Sequence, residues 1–422
     1  MATLLTTRMV AEEILVRMHN DLGFVSTIPK RYDGKFAVQG AKIGDTVSVR
    51  LPVSHEIQDG PVFVDQENTE RSVPLVIDQW KHVGFSYDQR DLALSMDNFY
   101  ERYLRDDVHK LANFVDSYCL GLAYKGIPNF VGTPGVAISA TSTYSDAIEI
   151  MDDYAVPTGR RTAVLSSGQH KDLQGVVEGR FNPQATISNV TTNGLFAKKF
   201  LGIDKWHMDQ NVRRHTVGAL GTSGAPTSAP LMDETHVQVS DSALESTIHT
   251  DGWDADQPCL KAGDIITIAN VYSVNPVSGE STGRLCQFVV LADVTPSTAD
   301  ADIRVYPPIR ASGPYKTVNA LPVNNAEIKV FGKATANFGD IDGVQAPQGL
   351  IYHPEFMAVA FVDIPMFRDG ATKQERVTDD QTGLSITVTE WSEPRTMRAY
   401  LRMDIMFGAK VLQGTMGVRV QS

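Results

Sequence analysis

RDLALSMDNFYERYLRDDVHKLANFVDSYCLGLAYKGIP, Arg90–Pro128, decides how the rest of the chain is read. From Asp97 to Lys125 the residues Leu104, Val108, Leu111, Val115 and Cys119 or Leu122 recur at three- and four-residue steps, the period of a helix with one apolar face. Asp97 suits an N-cap, while Glu101 with Arg105 and Asp106 with Lys110 set opposite charges one turn apart. Gly126 and Pro128 stop the run. About 29 residues at about 1.5 Å each give a helix of roughly 43 Å. That is long for a globular core, and it suits a spine laid along a flat plate.

Upstream, residues 1 to 20 carry Leu5, Met9, Ile14 and Met18 at roughly helical spacing, and Gly23, Pro29, Gly34 and Gly40 break any regular element after them. The spacing predicts a helix leading into an extended arm. From Asp45 the string DTVSVRLPVSHEI alternates as a strand does, and a second extended run covers Val73 to Tyr87. A polar, acidic loop with Asp59, Gly60, Asp65, Glu67 and Glu70 lies between them. The pair predicts a long hairpin, which is marginal alone in water and leans on a neighbour.

Downstream, SDAIEIMDDYAVP reads as a short helix, RTAVLS as a buried strand and SSGQHKDLQGVVEG as a helix capped by Ser166 or Ser167. The small-residue, Gly- and Pro-containing string VGALGTSGAPTSAPL at 217 to 231 reads as a linker. Beyond it the signals turn to short β runs, DIITIANVYSV and LCQFVVLADV among them, joined by turns such as NPVSGESTG. These predict an inserted β domain of about 100 residues, a small barrel or sandwich. Its 13 acids against 7 Lys and Arg give it half of the net charge of −12, so it is expected to face away from any enclosed nucleic acid. LIYHPEFMAVAFVDIPM reads as one buried strand with its approach, and LSITVTEWSE with TMRAYLRMDIMFGAKVLQGTMGVRV as two or three more. In TMRAYLRMDI, Met397, Ala399, Leu401, Met403 and Ile405 share one face, and Arg398, Tyr400, Arg402 and Asp404 the other.

A chain of 422 residues that is 42% hydrophobic and 21% charged is expected to fold as two or three units. Three widely spaced cysteines, Cys119, Cys259 and Cys286, predict free thiols and a reducing compartment rather than a disulfide frame or a zinc ribbon. The longest apolar run, Met357 to Val362, is far short of the roughly 20 residues a membrane helix needs, and no secretion signal is legible, so no membrane role is expected. A net charge of −12 argues against tight wrapping of nucleic acid.

No motif carries enzymatic chemistry. No phosphate-cradling G-x-x-x-x-G-K-[ST] string occurs, and no dinucleotide fingerprint follows a strand. His207 and His215 lack the i,i+4 placement of a zinc hydrolase helix, and GTSGA around Ser223 lacks the last glycine of a nucleophile elbow. Asp251, Asp254, Asp256 and Asp264 do not match a calcium loop, so a solvated acidic loop, or one meeting a basic patch of another subunit, is the reading. The pairs Arg160 with Arg161, Lys198 with Lys199 and Arg213 with Arg214 read as surface ion pairs or weak contacts to DNA or a partner. Asn189 in NVT fits a glycosylation pattern but carries no weight without secretion. No catalytic, metal-binding or cofactor-binding residue is expected.

The order of parts, together with the strings RDLALSMDNFYERYLRDDVHKLANFVD, KAGDIITIANVYSVNP, LCQFVVLADV, LIYHPEFMAVAFVDIPM and MRAYLRMDIMFGAKVL, resembles the major capsid proteins of tailed double-stranded DNA phages. The shell fold of that family is the one named after phage Hong Kong 97, here in the podovirus-type branch whose A domain carries an inserted I-domain. The resemblance covers nearly the whole chain. It implies an α+β fold divided as N-arm 1–44, E-loop hairpin 45–90, P-domain spine helix 91–135, A domain first part 136–225, inserted β domain 226–333, A domain return 334–370 and closing P-domain strands 371–422.

The resemblance implies a structural protein with no cofactor that self-assembles as hexamers and pentamers into an icosahedral virion shell in the bacterial cytoplasm. A scaffolding protein would assist, and the shell would expand as DNA is packaged. Its partners would be copies of itself, the scaffolding protein, a portal protein, DNA through weak non-specific contacts, and a decoration protein as a further candidate. The hairpin near 54 to 70 would overlap an adjacent subunit. Candidate inter-subunit contacts are Asp59, Asp65, Glu67, Glu70, Arg71, Arg160, Arg161, Arg213, Arg214, Asp251, Asp254 and Asp256. Neither the Lys–Asn shell crosslink nor the removable N-terminal segment of some relatives is expected. Two other readings are an encapsulin-type protein compartment and a hydrolase with a β accessory domain.

Overall fold

The computed structural model describes residues 7–29, 46–58, 60–61, 63, 65–66, 68–88, 104–178, 201–218, 230–331, 345–365, 372–378, 384–393, 395–396 and 398–422. It has the expected mixed α+β architecture and divides into two compact units. One comprises Met1–Val49, Pro74–Cys119 and Met357–Lys410, and the other Arg50–Val73, Leu120–Phe356 and Val411–Ser422.

The first unit is built on a five-stranded sheet. Its centre is the 14-residue strand Arg398–Val411, paired antiparallel to Ser385–Glu393 and, from Arg398 to Phe407, to Gln79–Asp88. Met357–Phe361 and Lys373–Thr378 complete it. The alternation read in the sequence holds: Ala399, Leu401, Met403 and Ile405 are buried, and the side chains of Arg398, Tyr400 and Arg402 are at least partly exposed. Asp404 departs from that pattern, buried beneath Trp80 and Arg402. The helix Thr7–Asp21 packs Ala11, Ile14 and Met18 inward and lies on the Lys373–Thr378 and Ser385–Glu393 strands.

The spine helix is described from Arg105 to Gly126, and the expected N-cap at Asp97 lies outside the described residues. Val108, Leu111, Val115 and Cys119 are buried as the spacing required, with Leu120 and Ala123 rather than Leu122 continuing the stripe. Asp116 is a buried carboxylate on that face. It accepts the backbone N–H groups of Gly23 (2.7 Å) and Val25 (2.9 Å), which would otherwise be unpaired at the start of the short helix Phe24–Thr27.

The hairpin differs from the expectation. Its ladder runs over Thr46–Arg50 and Ser72–Val76, extended by the Leu51 N–H to Arg71 O bond, and none of the described residues between 51 and 71 belongs to a regular strand. The run Val73 to Tyr87 breaks at Ile77 and Asp78, and its second half joins the sheet of the first unit. At the break, Val76 and Ile77 cross Gly408 so closely that a Cβ there would lie 2.2 Å from the Val76 carbonyl oxygen. The expectation of one strand in LIYHPEFMAVAFVDIPM is also corrected. Gln345–Tyr352 and Met357–Phe361 belong to different sheets and different units, separated by a 3-10 turn at Pro354–Phe356. Pro354 has no N–H to give a ladder, so it breaks a run that is otherwise largely apolar.

The second unit holds two sheets. One runs in the order Asn129–Gly132, Gly417–Gln421, Gln345–Tyr352, Thr162–Leu165, Lys205–Met208, with Arg214–Thr216 also on Gln345–Tyr352. The helices Ser142–Asp153 and Ser167–Glu178 flank it, and Tyr144, Ile150, Leu173 and Trp206 join Ile351 and Val418 in its core. Ser166 caps the second helix reciprocally: its Oγ accepts the Gln169 N–H, and Gln169 Oε1 accepts the Ser166 N–H.

The other sheet is the inserted β domain, a closed antiparallel barrel. Its order is Ile328–Phe331, Ile265–Val274, Ser281–Val290, Ala301–Tyr306, Ser246–Asp251, Leu231–Met232. A bridge from Leu231 to Glu327 and the Ile328 N–H to Pro230 O bond join the last strand to the first. Closure removes the open edges that invite unwanted pairing. Ile248, Ile266, Ile268, Cys286, Phe288, Ile303 and Val305 fill the interior.

Candidate assembly surfaces

Tyr315 fastens the barrel to the hairpin base. It sits in the turn-rich stretch after Ala301–Tyr306, and its hydroxyl accepts the Ser54 N–H and donates to the Thr69 carbonyl, both at 3.2 Å, so one phenol spans both arms of the hairpin. The Arg71 guanidinium lies 3.6 Å from the centre of the same ring. Further out, the Gln66 side-chain amide bonds both the N–H (2.8 Å) and the carbonyl (2.7 Å) of Glu56, doing the work of a missing ladder pair. Beyond this clasp Ile57 and Phe63 project into solvent, 93% and 87% exposed.

A polar hub holds the base of the barrel. Asp264, fully buried, lies 2.7 Å from His215 Nε2 through Oδ1, while Oδ2 accepts the Gly218 and Lys261 N–H groups at 3.1 and 2.7 Å. Two separate stretches, 215–218 and 261–264, therefore meet on one carboxylate. Arg419, also fully buried, donates to Gly263 O at 2.8 Å. Burial lowers its pKa to about 9, with Asp264 opposing the drop. Two further ties run from the barrel strand Ser281–Val290. Gln287 Oε1 accepts the Phe130 N–H at 2.8 Å, and Arg284 reaches Glu149 (3.1 Å) and Asp153 (3.8 Å). The desolvated carboxyl of Asp153 has a raised pKa, which Arg284 opposes.

On the first unit, Trp80 and Trp391 form an aromatic face beside a cleft of about 460 Å³ lined also by Pro365, Gln374 and Arg402. Trp391 stacks on Tyr400 with centroids 5.3 Å apart, and the Trp80 indole N–H donates to Asp404 at 2.9 Å.

The charged residues singled out in the sequence are dispersed. Asp65 and Glu70 are exposed on the hairpin, Glu70 lying 3.8 Å from Arg50; Asp59 and Glu67 lie outside the described residues. Arg160 is exposed beside Asp204, to which its backbone N–H donates. Arg161, expected at the surface, is buried: it donates to Asp152, Val156 O and Pro157 O, closing the turn after the helix Ser142–Asp153. Arg213 and Arg214 are exposed on the approach to and start of the strand Arg214–Thr216. Asp251 ends the barrel strand Ser246–Asp251 and Asp254 and Asp256 lie in the loop after it, while Asp264 belongs to the hub. Lys198, Lys199, Asn189 and Ser223 lie outside the described residues. Tyr315, Arg310 and the exposed side chains Ile57 and Phe63 were not singled out, since a lone residue in a turn or loop has no pattern to mark it.

Among the described residues no group of three or more His, Cys, Asp or Glu side chains is placed to hold a metal ion, and no helix is long and apolar enough to cross a membrane.

Solved structures similar to this chain include a chain of Mycobacterium phage Che8, with 12% identity, 94% of this chain and 90% of that one covered, and a TM-score of 0.47. The capsid of Ralstonia phage GP4 matches with 10% identity over 94% and 87%, at a TM-score of 0.43. The CUS-3 coat protein I-domain matches with 26% identity over 25% of this chain and 97% of that one, at a TM-score of 0.20. A search of curated proteins returned no match. The model of the P22 coat protein family, gene protein 5, matches residues 3–421. The chain therefore belongs to the P22 coat protein family and is a non-enzymatic major capsid protein.

Proposed function

We propose that this coat protein assembles as hexamers and pentamers with a scaffolding protein, in the bacterial cytoplasm, and that the shell expands as DNA is packaged. The hairpin near 54 to 70 overlaps an adjacent subunit, and the N-terminal arm crosses a neighbour. The observation that carries this reading is the hairpin tip, where Ile57 and Phe63 stand in water beyond the last clasp. Two large apolar side chains on a loop without a ladder gain most by burial against another surface, about 1.5–3 kcal/mol each.

The parts are assigned as N-arm 1–44, E-loop 45–90, spine 91–135, A domain 136–225 and 334–370, barrel 226–333 and closing strands 371–422. Exposed charges on them, Asp65, Glu70, Arg160, Arg213, Arg214 and Asp256, with the half-buried Asp254, supply weak ion pairs between copies. Each contributes about 0–1 kcal/mol, and repetition around a shell makes the sum matter. Portal and decoration proteins complete the partner set, and DNA meets an acidic chain only weakly. Coat-family membership favours this reading over a protein compartment or a hydrolase.

The test is the pair Ile57→Asp and Phe63→Asp, co-expressed with the scaffolding protein. Loss of about 3 kcal/mol per contact is roughly a hundredfold in its equilibrium constant. Folded, unassembled subunits are expected in sedimentation, with circular dichroism matching the parent. Normal shell yield from the double variant would overturn the overlap.

A further inference from the structure

Beside the Tyr315 clasp lies a cleft of about 260 Å³ whose lining includes Ser54, Arg71, Arg310, Tyr315, Lys316 and Thr317. Three of these are cations. Arg310 is fully buried; its Nε and Nη2 donate to the Ser240, Asp241 and Ala243 carbonyls, and the closest carboxylate, Asp241, stands 3.9 Å away. Its Nη1 is buried without a partner, and so is Arg71 Nε. Lys316 donates to Gly279 O at 3.0 Å. Two guanidinium groups that repel one another thus line one cleft, each with an unused buried N–H. Unpaired buried donors on cations are costly, and a carboxylate is the group that satisfies them with matching geometry.

We propose that the Arg71–Arg310 cleft is a carboxylate receptor, filled in the assembled shell by an Asp or Glu side chain of a second copy of this chain. The second copy follows from charge: the chain carries 50 acids against 38 Lys and Arg, so a neighbour offers more carboxylates than cations. The volume suits one side chain rather than a drug-sized ligand. This inference rests on the shell reading, since it needs copies in contact. It differs from the hairpin overlap, because the receptor is at the hairpin base and not at its tip.

The test uses Arg71→Lys protein, assembled from an equal mixture of light and heavy isotope-labelled subunits and treated with a carbodiimide, which joins an amine to a carboxylate only at contact. Lys316 is a second reporter in the unaltered chain and keeps the test valid if the variant misfolds. The expected result is an amide between position 71 or Lys316 and an Asp or Glu, in mixed-isotope peptide pairs, about tenfold or more above its level in unassembled subunits. Shells that give no such product at either position, or only same-isotope pairs, overturn the receptor while leaving the shell reading intact. Failure of the unaltered protein to form particles by electron microscopy overturns both.

Discussion

Replacing Asp264 with Ala tests whether one carboxylate holds the base of the barrel. The change strips the Gly218 and Lys261 N–H groups of their acceptor, removes the partner of His215, and leaves fully buried Arg419 without the negative charge that opposes its desolvation. Removing one member of a buried ionic group costs about 3–5 kcal/mol, much of it the exposure of what is left behind. Taken at ~4 kcal/mol against a domain stability of about 5–15 kcal/mol, the variant loses about a quarter or more of its margin. Asp264→Asn keeps one oxygen for a single N–H and is expected to lose about half as much, ~2 kcal/mol. Urea unfolding followed by tryptophan fluorescence reads this directly, because Trp253 and Trp206 are both buried in the same unit as the hub. A midpoint for Asp264→Ala that translates to less than ~1 kcal/mol would refute the reasoning, and so would equal losses for Ala and Asn.

Gly408→Ala places a Cβ 2.2 Å from Val76 O and 2.9 Å from Ile77 Cα, so it is expected to cost about 3 kcal/mol and to loosen the hairpin base; hydrogen exchange at residues 72–77 checks this. Burial pushes the Cys286 thiol up to about 12 and raises Cys119 and Cys259 as well, so at pH 8 a thiol-reactive dye should label none of the three in native protein and all three after denaturation. Desolvation holds His207, His236 and His353 below the ordinary imidazole value of 6.5. The unfolded chain therefore binds more protons than the folded one between those lowered values and 6.5, and stability falls as pH drops through that window. His236→Gln should flatten part of that fall in acid titrations of the melting temperature; an unchanged slope would count against the buried neutral imidazole.

Much of the architecture was legible because it rests on periodicity. The three- and four-residue spacing of Val108, Leu111, Val115 and Cys119, and the alternation from Ala399 to Ile405, each report a face that must be buried. The barrel was legible as a shift of composition, and its closure was not, since the Leu231–Glu327 bridge joins residues about 100 positions apart. Lys373–Thr378 escaped notice because a half-exposed edge of charged and polar residues has no apolar period. The candidate surfaces were less legible still. Arg161 looked like a surface cation and is a buried turn closure, Asp264 looked like part of a solvated acidic loop and is a hub, and Tyr315 gave no sign of joining Ser54 to Thr69. Each of these roles depends on backbone groups brought close by the fold, and side-chain order along the chain carries no record of them.

The most direct test of the account is electron microscopy, with sedimentation, of the full-length protein produced with and without its scaffolding protein. Closed shells are expected with the scaffolding protein and shells or aberrant spirals without it, all tens of nanometres across. A monodisperse monomer or dimer under both conditions would contradict it.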